Sequence, residues 1–316
     1  MIVVGIVGPT SSGKSYIAHN LARTLRIVGV ESEIISCDSM QVYKYFDIGT
    51  AKVPFEYRDE FVYHFIDILE PDEGRFSAGE FRKRFDEIVS RIFSEGKVGI
   101  LVGGTGLYYK SVRIGIFEGP SANDEIRKNL YTVAQQKGAE FLYNQLSKID
   151  KEYAKKISKN DLKRIVRALE VFEITGKPFS ELHKIYTKPS PFEVYSYFIL
   201  PDRRELYSTI NSRVDEMLKI GLIDEVKFIL KEYGRNIYPL SSIGYKEVVE
   251  YIDGKISFDG MVSLIKKNTR NFAKRQITLF KNTKVDRIID IDKISYKMLD
   301  IVVNQIKNDV LIKLDK

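Results

Sequence analysis

The chain has 316 residues, and 44% of them are hydrophobic, which is enough for a large core arranged as one or two domains. Its single cysteine, Cys37, excludes an internal disulfide and a multi-cysteine zinc site, and fits a reducing cytosol. The formal net charge of +7 is compatible with a polyanionic partner, but many ordinary proteins are equally basic. We find no signal peptide and no run of 18 apolar residues, so we expect a cytoplasmic protein that does not enter a membrane.

The first third of the chain alternates predicted strands and helices. Apolar, β-branched runs predict strands at residues 2–7, 33–37, 64–69 and 98–102. A helical pattern covers residues 15–26, and the Ser77 and Glu80 capping box opens a second helix. Its core-facing residues recur at helical spacing and are Phe81, Phe85, Ile88 and Ile92. This alternation predicts an α/β domain with a parallel sheet.

The pattern changes near Gly119, because residues 124–174 are helical and highly charged. Residues 194–200 then predict a strand, and helices follow from about Arg203 onward. We therefore predict a P-loop core, residues 1–118 and 194–316, with a parallel sheet flanked by helices. An all-helical insertion domain at residues 119–193 interrupts this core.

The strongest motif is G-x-x-x-x-G-K-[ST], which stands between a predicted strand and a predicted helix. Its glycines let backbone N–H groups face a phosphate at a helix N-terminus. Lys14 adds a positive charge, and Ser15 can ligate Mg²⁺. The predicted phosphate-binding residues are Gly8, Pro9, Thr10, Ser11, Ser12, Gly13, Lys14 and Ser15. The motif does not identify the molecule that carries the phosphate.

P-loop NTPases usually hold magnesium with an acidic residue at the end of a later strand. The candidate strand here, residues 98–102, is followed by GGTGLY and has no carboxylate. This weakens an ATPase or kinase interpretation. Asp67, in another predicted strand, keeps it open.

Asp38 follows the second predicted strand, so we expect it to lie beside the P-loop. A carboxylate there can accept a proton or orient an amine, and Gln41 can hydrogen-bond a base edge. The alternative for Asp38 is a helix N-cap.

Seven motifs, in their order along the chain, resemble the signature set of the tRNA dimethylallyltransferases of the IPP transferase family. They are GPTSSGKS, DSMQVY, GTAK, GGTGLY, NDLKRIVRALEV, SIGYKE and TRNFAKRQ. The resemblance extends from Val7 to about Phe280. It implies that the P-loop holds dimethylallyl diphosphate rather than ATP, and that the acceptor is N6 of the adenosine 3′ of the anticodon. Two residues depart from the family pattern, Lys163 at a usual Gln and Leu279 at a common Trp.

The resemblance also implies roles for individual residues. Asp38 would be the general base, and Lys14 and Arg213 would complete the catalytic set. The implied tRNA contacts are Asp38, Ser39, Met40, Gln41, Thr105, Arg127, Lys163, Arg164, Arg167, Gly244, Tyr245, Lys246, Arg270 and Lys274.

Two helices support this interpretation independently. In residues 160–176, Lys163, Arg164 and Arg167 lie opposite an apolar face and have no acid among them, which favours phosphate contact over a merely solvated face. In the helix from Arg203, the guanidinium of Arg213 falls at the edge of the buried stripe formed by Leu206, Ile210, Val214 and Met217. Such an arginine needs an anion or a structural carboxylate partner, and the nearby diphosphate site favours the anion.

In residues 261–280 we expect Val262, Ile265, Phe272 and Leu279 to face the core. Lys267, Arg270 and Lys274 would form an outer basic stripe, while Arg275 and Gln276 would lean inward.

The predicted reaction is attack by the adenine N6 on C1 of the dimethylallyl group, with Mg²⁺ and the P-loop stabilising the departing diphosphate. The adenine would leave the anticodon-loop stack, and the insertion domain would grip the anticodon stem. The expected partners are tRNA and dimethylallyl diphosphate, with no obligate protein partner. Two alternatives stay open: a P-loop kinase of a small metabolite and a nucleotide-regulated RNA-binding module.

Overall fold

The computed structural model describes residues 2–117 and 119–314 and divides the chain into two compact units. The first comprises Met1–Arg113 and Ser190–Lys316, and the second comprises Ile114–Pro189. The strands are β1 (Val3–Val7), β2 (Ser32–Cys37), β3 (Tyr63–His64), β4 (Val98–Gly103), β5 (Ile116–Phe117), β6 (Thr187–Lys188), β7 (Val194–Pro201) and β8 (Arg287–Ile291).

Helices connect these strands and form most of the second unit. They are α1 (Lys14–Ile27), α2 (Phe55–Glu60), α3 (Ala78–Ser94), α4 (Gly106–Arg113), α5 (Asp124–Lys137), α6 (Ala139–Ile149), α7 (Lys151–Ala154), α8 (Leu162–Thr175), α9 (Phe179–Tyr186), α10 (Arg203–Lys219), α11 (Leu222–Tyr233), α12 (Tyr245–Ile252), α13 (Phe258–Lys281) and α14 (Tyr296–Leu314). No helix in the described part of the chain is long and apolar enough to cross a bilayer.

The first unit contains a six-stranded parallel sheet in the order β3-β2-β4-β1-β7-β8. The central strand β1 is buried along its whole length, which explains its continuous apolar sequence. Helices α1 and α14 pack together on one face of the sheet, with Leu21, Ile100, Tyr197 and Val303 in their shared core. The predicted α/β P-loop fold with a parallel sheet is confirmed.

The strand predicted at residues 64–69 was wrong beyond its first residue. β3 ends at His64, and the chain then turns through left-handed conformations at Phe65 and Asp67, with φ of 62° and 54°. One strand of the sheet, β8, was also missed. It lies at the sheet edge and is half exposed, so its apolar signal is weak.

The second unit has its own core, formed by α5, α6, α8 and α9 around Leu142, Ile165 and Val171. Its limits differ from the predicted residues 119–193 by four or five positions at each end. The unit is not all-helical as predicted, because β5 and β6 pair as a short antiparallel ribbon. The two strands lie near the beginning and the end of the segment Ile114–Pro189. Residue 118, the predicted end of the first core segment, lies outside the described residues.

Candidate active site

The P-loop connects β1 to α1 at the carboxyl edge of the sheet. Gly13 has a φ of 82°, and a Cβ on it would lie 2.7 Å from the Leu299 side chain, so this position requires glycine. The loop is held internally by the Ser12 hydroxyl, which donates to the Pro9 carbonyl oxygen at 2.9 Å. From α13, the Gln276 Oε1 accepts the Thr10 N–H at 2.8 Å. Together with residues of β2, β4, α10 and α13, the loop lines a cavity of about 280 Å³.

Two cations, Lys14 and Arg213, line this cavity. Lys14 Nζ donates to the Pro9 carbonyl oxygen and lies 3.3 Å from the Ser12 hydroxyl. The Arg213 guanidinium, from α10, donates to the hydroxyls of Thr10 and Ser11 at 3.2 Å each. None of the ion pairs among the described residues involves either side chain, so both charges are available to an anion.

Burial lowers the pKa of Lys14 to about 7, with repulsion by Arg213 acting in the same direction and Asp38 acting against them. Burial also lowers the pKa of Arg213, and Asp38 again opposes the shift. The site is therefore an electropositive cavity whose cations lack full hydration, the arrangement expected of a site for a polyanion.

We expect anion binding at this site to depend on pH. The folded protein binds fewer protons at Lys14 than the unfolded chain between about pH 7 and pH 10.5, so this group makes the free energy of unfolding rise with pH across that window. A bound diphosphate favours the protonated amine, and its binding above pH 7 takes up a proton. Its affinity should fall by up to about tenfold per pH unit above pH 7.

The measurement is diphosphate affinity between pH 7 and pH 9, for the parent and for Lys14→Met. The variant should bind more weakly and lose most of the pH dependence. If both proteins show the same slope, the lowered pKa of Lys14 does not govern binding.

Asp38 lies at the carboxyl end of β2 and lines the P-loop cavity. Its Oδ1 accepts the Met40 N–H at 2.8 Å, within a short turn. The residues that follow form no regular helix, so the helix N-cap alternative is not what the structure shows. The neighbouring Ser39 N–H donates to the Thr105 hydroxyl at 3.0 Å, which fixes the end of β2 against the start of α4. The hydrogen bond from Met40 fixes the Asp38 carboxylate, which lines the cavity.

A second cavity of about 280 Å³ adjoins the first and shares Asp38, Arg213, Thr10 and Ser11 with it. Its wall is mostly apolar and is formed by Ile210, Val214, Met217 and Ile265, and its rim includes Ser242, Gly244 and Tyr245. A cavity lined by two cations and a mostly apolar cavity therefore meet at a carboxylate. Phe272 was predicted to face the core, but it is exposed and lines both cavities.

The loop containing GTAK forms part of both cavities and is held from α11. The Glu225 carboxylate accepts the N–H groups of Asp47 and Ile48 at 3.1 and 2.8 Å, and the Tyr245 hydroxyl at 2.6 Å. Gly49 packs against the Tyr245 ring, where a Cβ would clash. Tyr245 is fully buried and holds this loop through its ring and hydroxyl, and the tRNA contact predicted for it stays a prediction. Glu225 was not predicted from the sequence, because its partners lie more than 170 residues away.

Asp67 does not supply the missing strand-end acid. Its carboxylate pairs with the buried Lys52 and with Arg58, each at 2.6 Å. Among the described residues, no group of three His, Cys, Asp or Glu side chains could hold a metal ion. Ser15 is exposed at the first turn of α1 and lines the P-loop cavity. Its hydroxyl is a hard oxygen donor of the kind that suits Mg²⁺ shared with phosphate oxygens.

The amide of Gln41, predicted to meet a base edge, is bonded within the protein. Its Oε1 accepts from the Ser36 hydroxyl at 3.0 Å, and its Nε2 lies 3.4 Å from the Ala51 carbonyl oxygen. These bonds fix the orientation of the amide, which lines the P-loop cavity.

The basic face of α8 is only partly available. Arg167 and Arg127 both pair with the buried Glu170 carboxylate, at 2.7 and 2.9 Å, and Arg164 lies 3.4 Å from Asp161. No acid stands among Lys163, Arg164 and Arg167 in the sequence, but the flanking acids Asp161 and Glu170 pair with the two arginines, so the phosphate contact predicted for this face stays a prediction. Lys163 is exposed and forms no ion pair within the described ranges.

On α13, the predicted outer stripe is mixed. Lys267 and Lys274 are exposed, but Arg270 donates to the Asn211 side-chain oxygen at 2.6 Å. Gln276 faces inward as predicted, donating to the Gly104 carbonyl oxygen at 3.0 Å, whereas Arg275 is exposed. Leu279, one of the two departures from the family pattern, packs onto Gly106.

The SIGYKE segment places Lys246 at the surface, 3.8 Å from Glu250. Gly244 has a φ of 94° and donates its N–H to the Glu247 carboxylate at 2.7 Å.

The comparisons with known proteins agree with one another. The family model described as IPP transferase matches residues 41–283. Proteins named tRNA dimethylallyltransferase from Thermoanaerobacter sp. (strain X514) and Thermotoga maritima are 45% and 42% identical over 287 and 285 residues. The alignments cover 88% of both chains for the first relative and 90% for the second.

Solved structures give the same result. A full-length tRNA isopentenylpyrophosphate transferase from Bacillus halodurans is 35% identical, with a TM-score of 0.71 and coverage of 99% of this chain and 97% of that one. A structure described as a eukaryotic dimethylallyltransferase acting on tRNA gives a TM-score of 0.82 at 26% identity, covering 98% of this chain and 79% of that one. The chain therefore belongs to the IPP transferase family, the tRNA dimethylallyltransferases.

Proposed function

We propose that the chain transfers the dimethylallyl group from dimethylallyl diphosphate to N6 of the adenosine immediately 3′ of the anticodon in tRNA. The observation that carries this proposal is the junction of the two cavities at Asp38 and Arg213. One cavity offers the P-loop and two cations to a diphosphate. The other offers apolar walls to a prenyl group and room for a base beside the carboxylate.

In this reaction the N6 nitrogen attacks C1 of the dimethylallyl group, and the bond between C1 and the diphosphate oxygen breaks. Lys14, Arg213 and the P-loop N–H groups stabilise the charge that develops on the leaving oxygens. Asp38 orients the exocyclic amine and accepts the proton that N6 loses. Ser15 would hold Mg²⁺, which would supply further neutralisation of the diphosphate charge when bound.

For the adenine to reach Asp38 it has to leave the anticodon-loop stack. The second unit, residues 114–189, would hold the anticodon stem by shape and phosphate contacts. Thr105 and the SIGYKE segment line or adjoin the entrance of the second cavity and would contact the extruded nucleotide. We place this activity in the cytoplasm, where tRNA acts.

The test is incubation of the protein with labelled dimethylallyl diphosphate, bulk tRNA and Mg²⁺. We expect label in tRNA and diphosphate in solution. A small-metabolite kinase would consume ATP without tRNA, and an RNA-binding module would bind tRNA without transferring label. Asp67 is paired with Lys52 and Arg58 and does not line the P-loop cavity, so it does not supply a magnesium-holding acid for a kinase.

Contact between α8 and tRNA phosphates predicts a particular salt dependence. Lys163→Ala and Arg164→Ala should each reduce the slope of log affinity against log salt by about 0.7–0.9. Arg167→Ala should instead lower the free energy of unfolding by about 1–3 kcal/mol, because it removes a partner of the buried Glu170 carboxylate. The measurements are tRNA affinity at several salt concentrations and thermal unfolding.

Lys255→Ala, at an exposed position on another surface, is the control for these variants. Should Lys163→Ala, Arg164→Ala and the control all keep the parental slope, the α8 face is merely solvated and tRNA is held elsewhere.

A further inference from the structure

A third cavity, of about 330 Å³, adjoins the two cavities of the site. Lys52, one of the cations that line it, pairs with Asp47 at 2.7 Å and with Asp67 at 2.6 Å. Arg58, another, pairs with the same Asp67 at 2.6 Å. The rest of the wall is mostly apolar and includes Ile48, Val53, Pro54, Phe55 and Ile220. The cavity therefore offers an apolar surface, and the reaction proposed above makes no use of it.

Two residues of α10, Arg213 and Met217, line both the second and the third cavity. They are four residues apart and so lie on the same face of the helix. Arg213 is committed to the P-loop, because its guanidinium donates to the Thr10 and Ser11 hydroxyls. The half-buried side chain of Met217 is therefore the apolar part of the boundary between the two cavities.

Met217 also ends a row of apolar side chains on α10. Ile210 and Val214, which precede it in this row, are buried and line the second cavity but not the third. Met217 lies about 6 Å along the helix axis beyond Arg213. A prenyl chain whose diphosphate meets Arg213 and whose carbons follow this row therefore has Met217 at its far end.

A second and third cavity joined without a barrier would favour long prenyl chains. Each buried CH₂ group strengthens binding about fourfold, so five further carbons would strengthen it by up to about 10³-fold. Hydrophobic contact alone thus cannot select a five-carbon donor over a ten-carbon one. Such selectivity needs a steric obstacle, and Met217 stands where the obstacle is required.

We propose that Met217 determines the length of the transferred prenyl group, because its side chain closes the second cavity against the third. The proposal rests on the function proposed above and assigns the length of the donor to one side chain. When this side chain is shortened, the second isoprene unit of geranyl diphosphate extends into the third cavity. The reaction is otherwise the same: N6 bonds to C1, the bond from C1 to the diphosphate oxygen breaks, and Asp38 accepts the N6 proton.

The test compares the full chain with Met217→Ala and with Met217→Val, which removes less of the side chain. The measured quantity is kcat/KM for transfer to tRNA from geranyl diphosphate, divided by kcat/KM for transfer from dimethylallyl diphosphate. We expect this ratio to rise about 100-fold in Met217→Ala and by a smaller factor in Met217→Val. Mass analysis of the digested tRNA should then show an adenosine that carries a ten-carbon group.

Met217→Leu is the volume-conserving control. Ile220→Ala is the matched control on the same helix, because Ile220 lines the third cavity but not the second. Both should keep the parental ratio, and thermal unfolding shows that each variant is folded. A folded Met217→Ala variant with the parental ratio overturns the proposal. A parent that already uses geranyl diphosphate as well as dimethylallyl diphosphate overturns it too.

Titration with the two diphosphates in the absence of tRNA separates this proposal from the proposed function. Relative to dimethylallyl diphosphate, Met217→Ala should bind geranyl diphosphate at least about tenfold more tightly than the parent does. If the parent transfers neither prenyl group, the proposed function fails. The ratio of the two affinities then still decides whether Met217 closes the second cavity.

Discussion

Replacing Asp38 by Asn is expected to lower the turnover number for prenyl transfer by about 10²–10⁴, the range usual for loss of a general base. Asn keeps the side-chain oxygen that accepts the Met40 N–H, so the turn at the end of β2 should survive. The variant loses only the ability to take the proton from N6. The measurement is single-turnover transfer of the dimethylallyl group to tRNA, which reports the chemical step without product release.

Binding of dimethylallyl diphosphate provides the control for this variant. Asp38 partly offsets the positive charges of Lys14 and Arg213, as its effect on the pKa of each shows, so its neutralisation should leave diphosphate affinity unchanged or increase it. Asp38→Ala should lose activity to a similar degree. An Asp38→Asn variant with parental turnover removes this carboxylate from the mechanism and leaves it only the role of fixing the turn.

The second large effect concerns the diphosphate. Lys14→Met and Arg213→Met should each weaken dimethylallyl diphosphate binding by about 2–5 kcal/mol, or about 30- to 5,000-fold. Each substitution removes a partly desolvated cation of the protein that would face the negative charge of the diphosphate. Titration with a non-reactive prenyl diphosphate analogue measures this directly. Affinity for tRNA should change little in either variant.

Arg213→Lys distinguishes charge from geometry. The guanidinium donates to the hydroxyls of Thr10 and Ser11 and also lines the cavity. The single ammonium of lysine lacks the forked set of N–H donors and cannot do both. We expect it to recover only part of the affinity. Tight ATP binding combined with no detectable binding of dimethylallyl diphosphate contradicts the substrate assignment.

The parts of the fold that were predictable are those with strong local patterns. The P-loop combines a fixed motif with a buried strand before it and an amphipathic helix after it, so the sequence predicted the loop that lines the first cavity. Arg213 was identified because a guanidinium at the edge of an apolar stripe needs an anion or a carboxylate partner; it contacts the P-loop hydroxyls, and its role toward an anion stays a prediction. Gln276 was predicted to face inward from helical periodicity and does so.

The parts that were missed depend on contacts between distant residues. The loop between β2 and β3 has no regular period, with left-handed conformations at Tyr45 and Ala51, and it is held by Glu225 from 176 or more residues away. The pairing of Arg127 with Glu170 spans 43 residues and is invisible to local patterns. Phe272 has core-like spacing, yet it stays exposed because the space beside it is a cavity.

The most direct measurement of the central claim is the position of the label in tRNA. After reaction with labelled dimethylallyl diphosphate, nuclease digestion and mass analysis should place one dimethylallyl group on the adenosine immediately 3′ of the anticodon, at N6. The parallel reaction with Asp38→Asn should give little of this product in the same time. Label at another nucleotide, or no label in tRNA while ATP is consumed, contradicts the account.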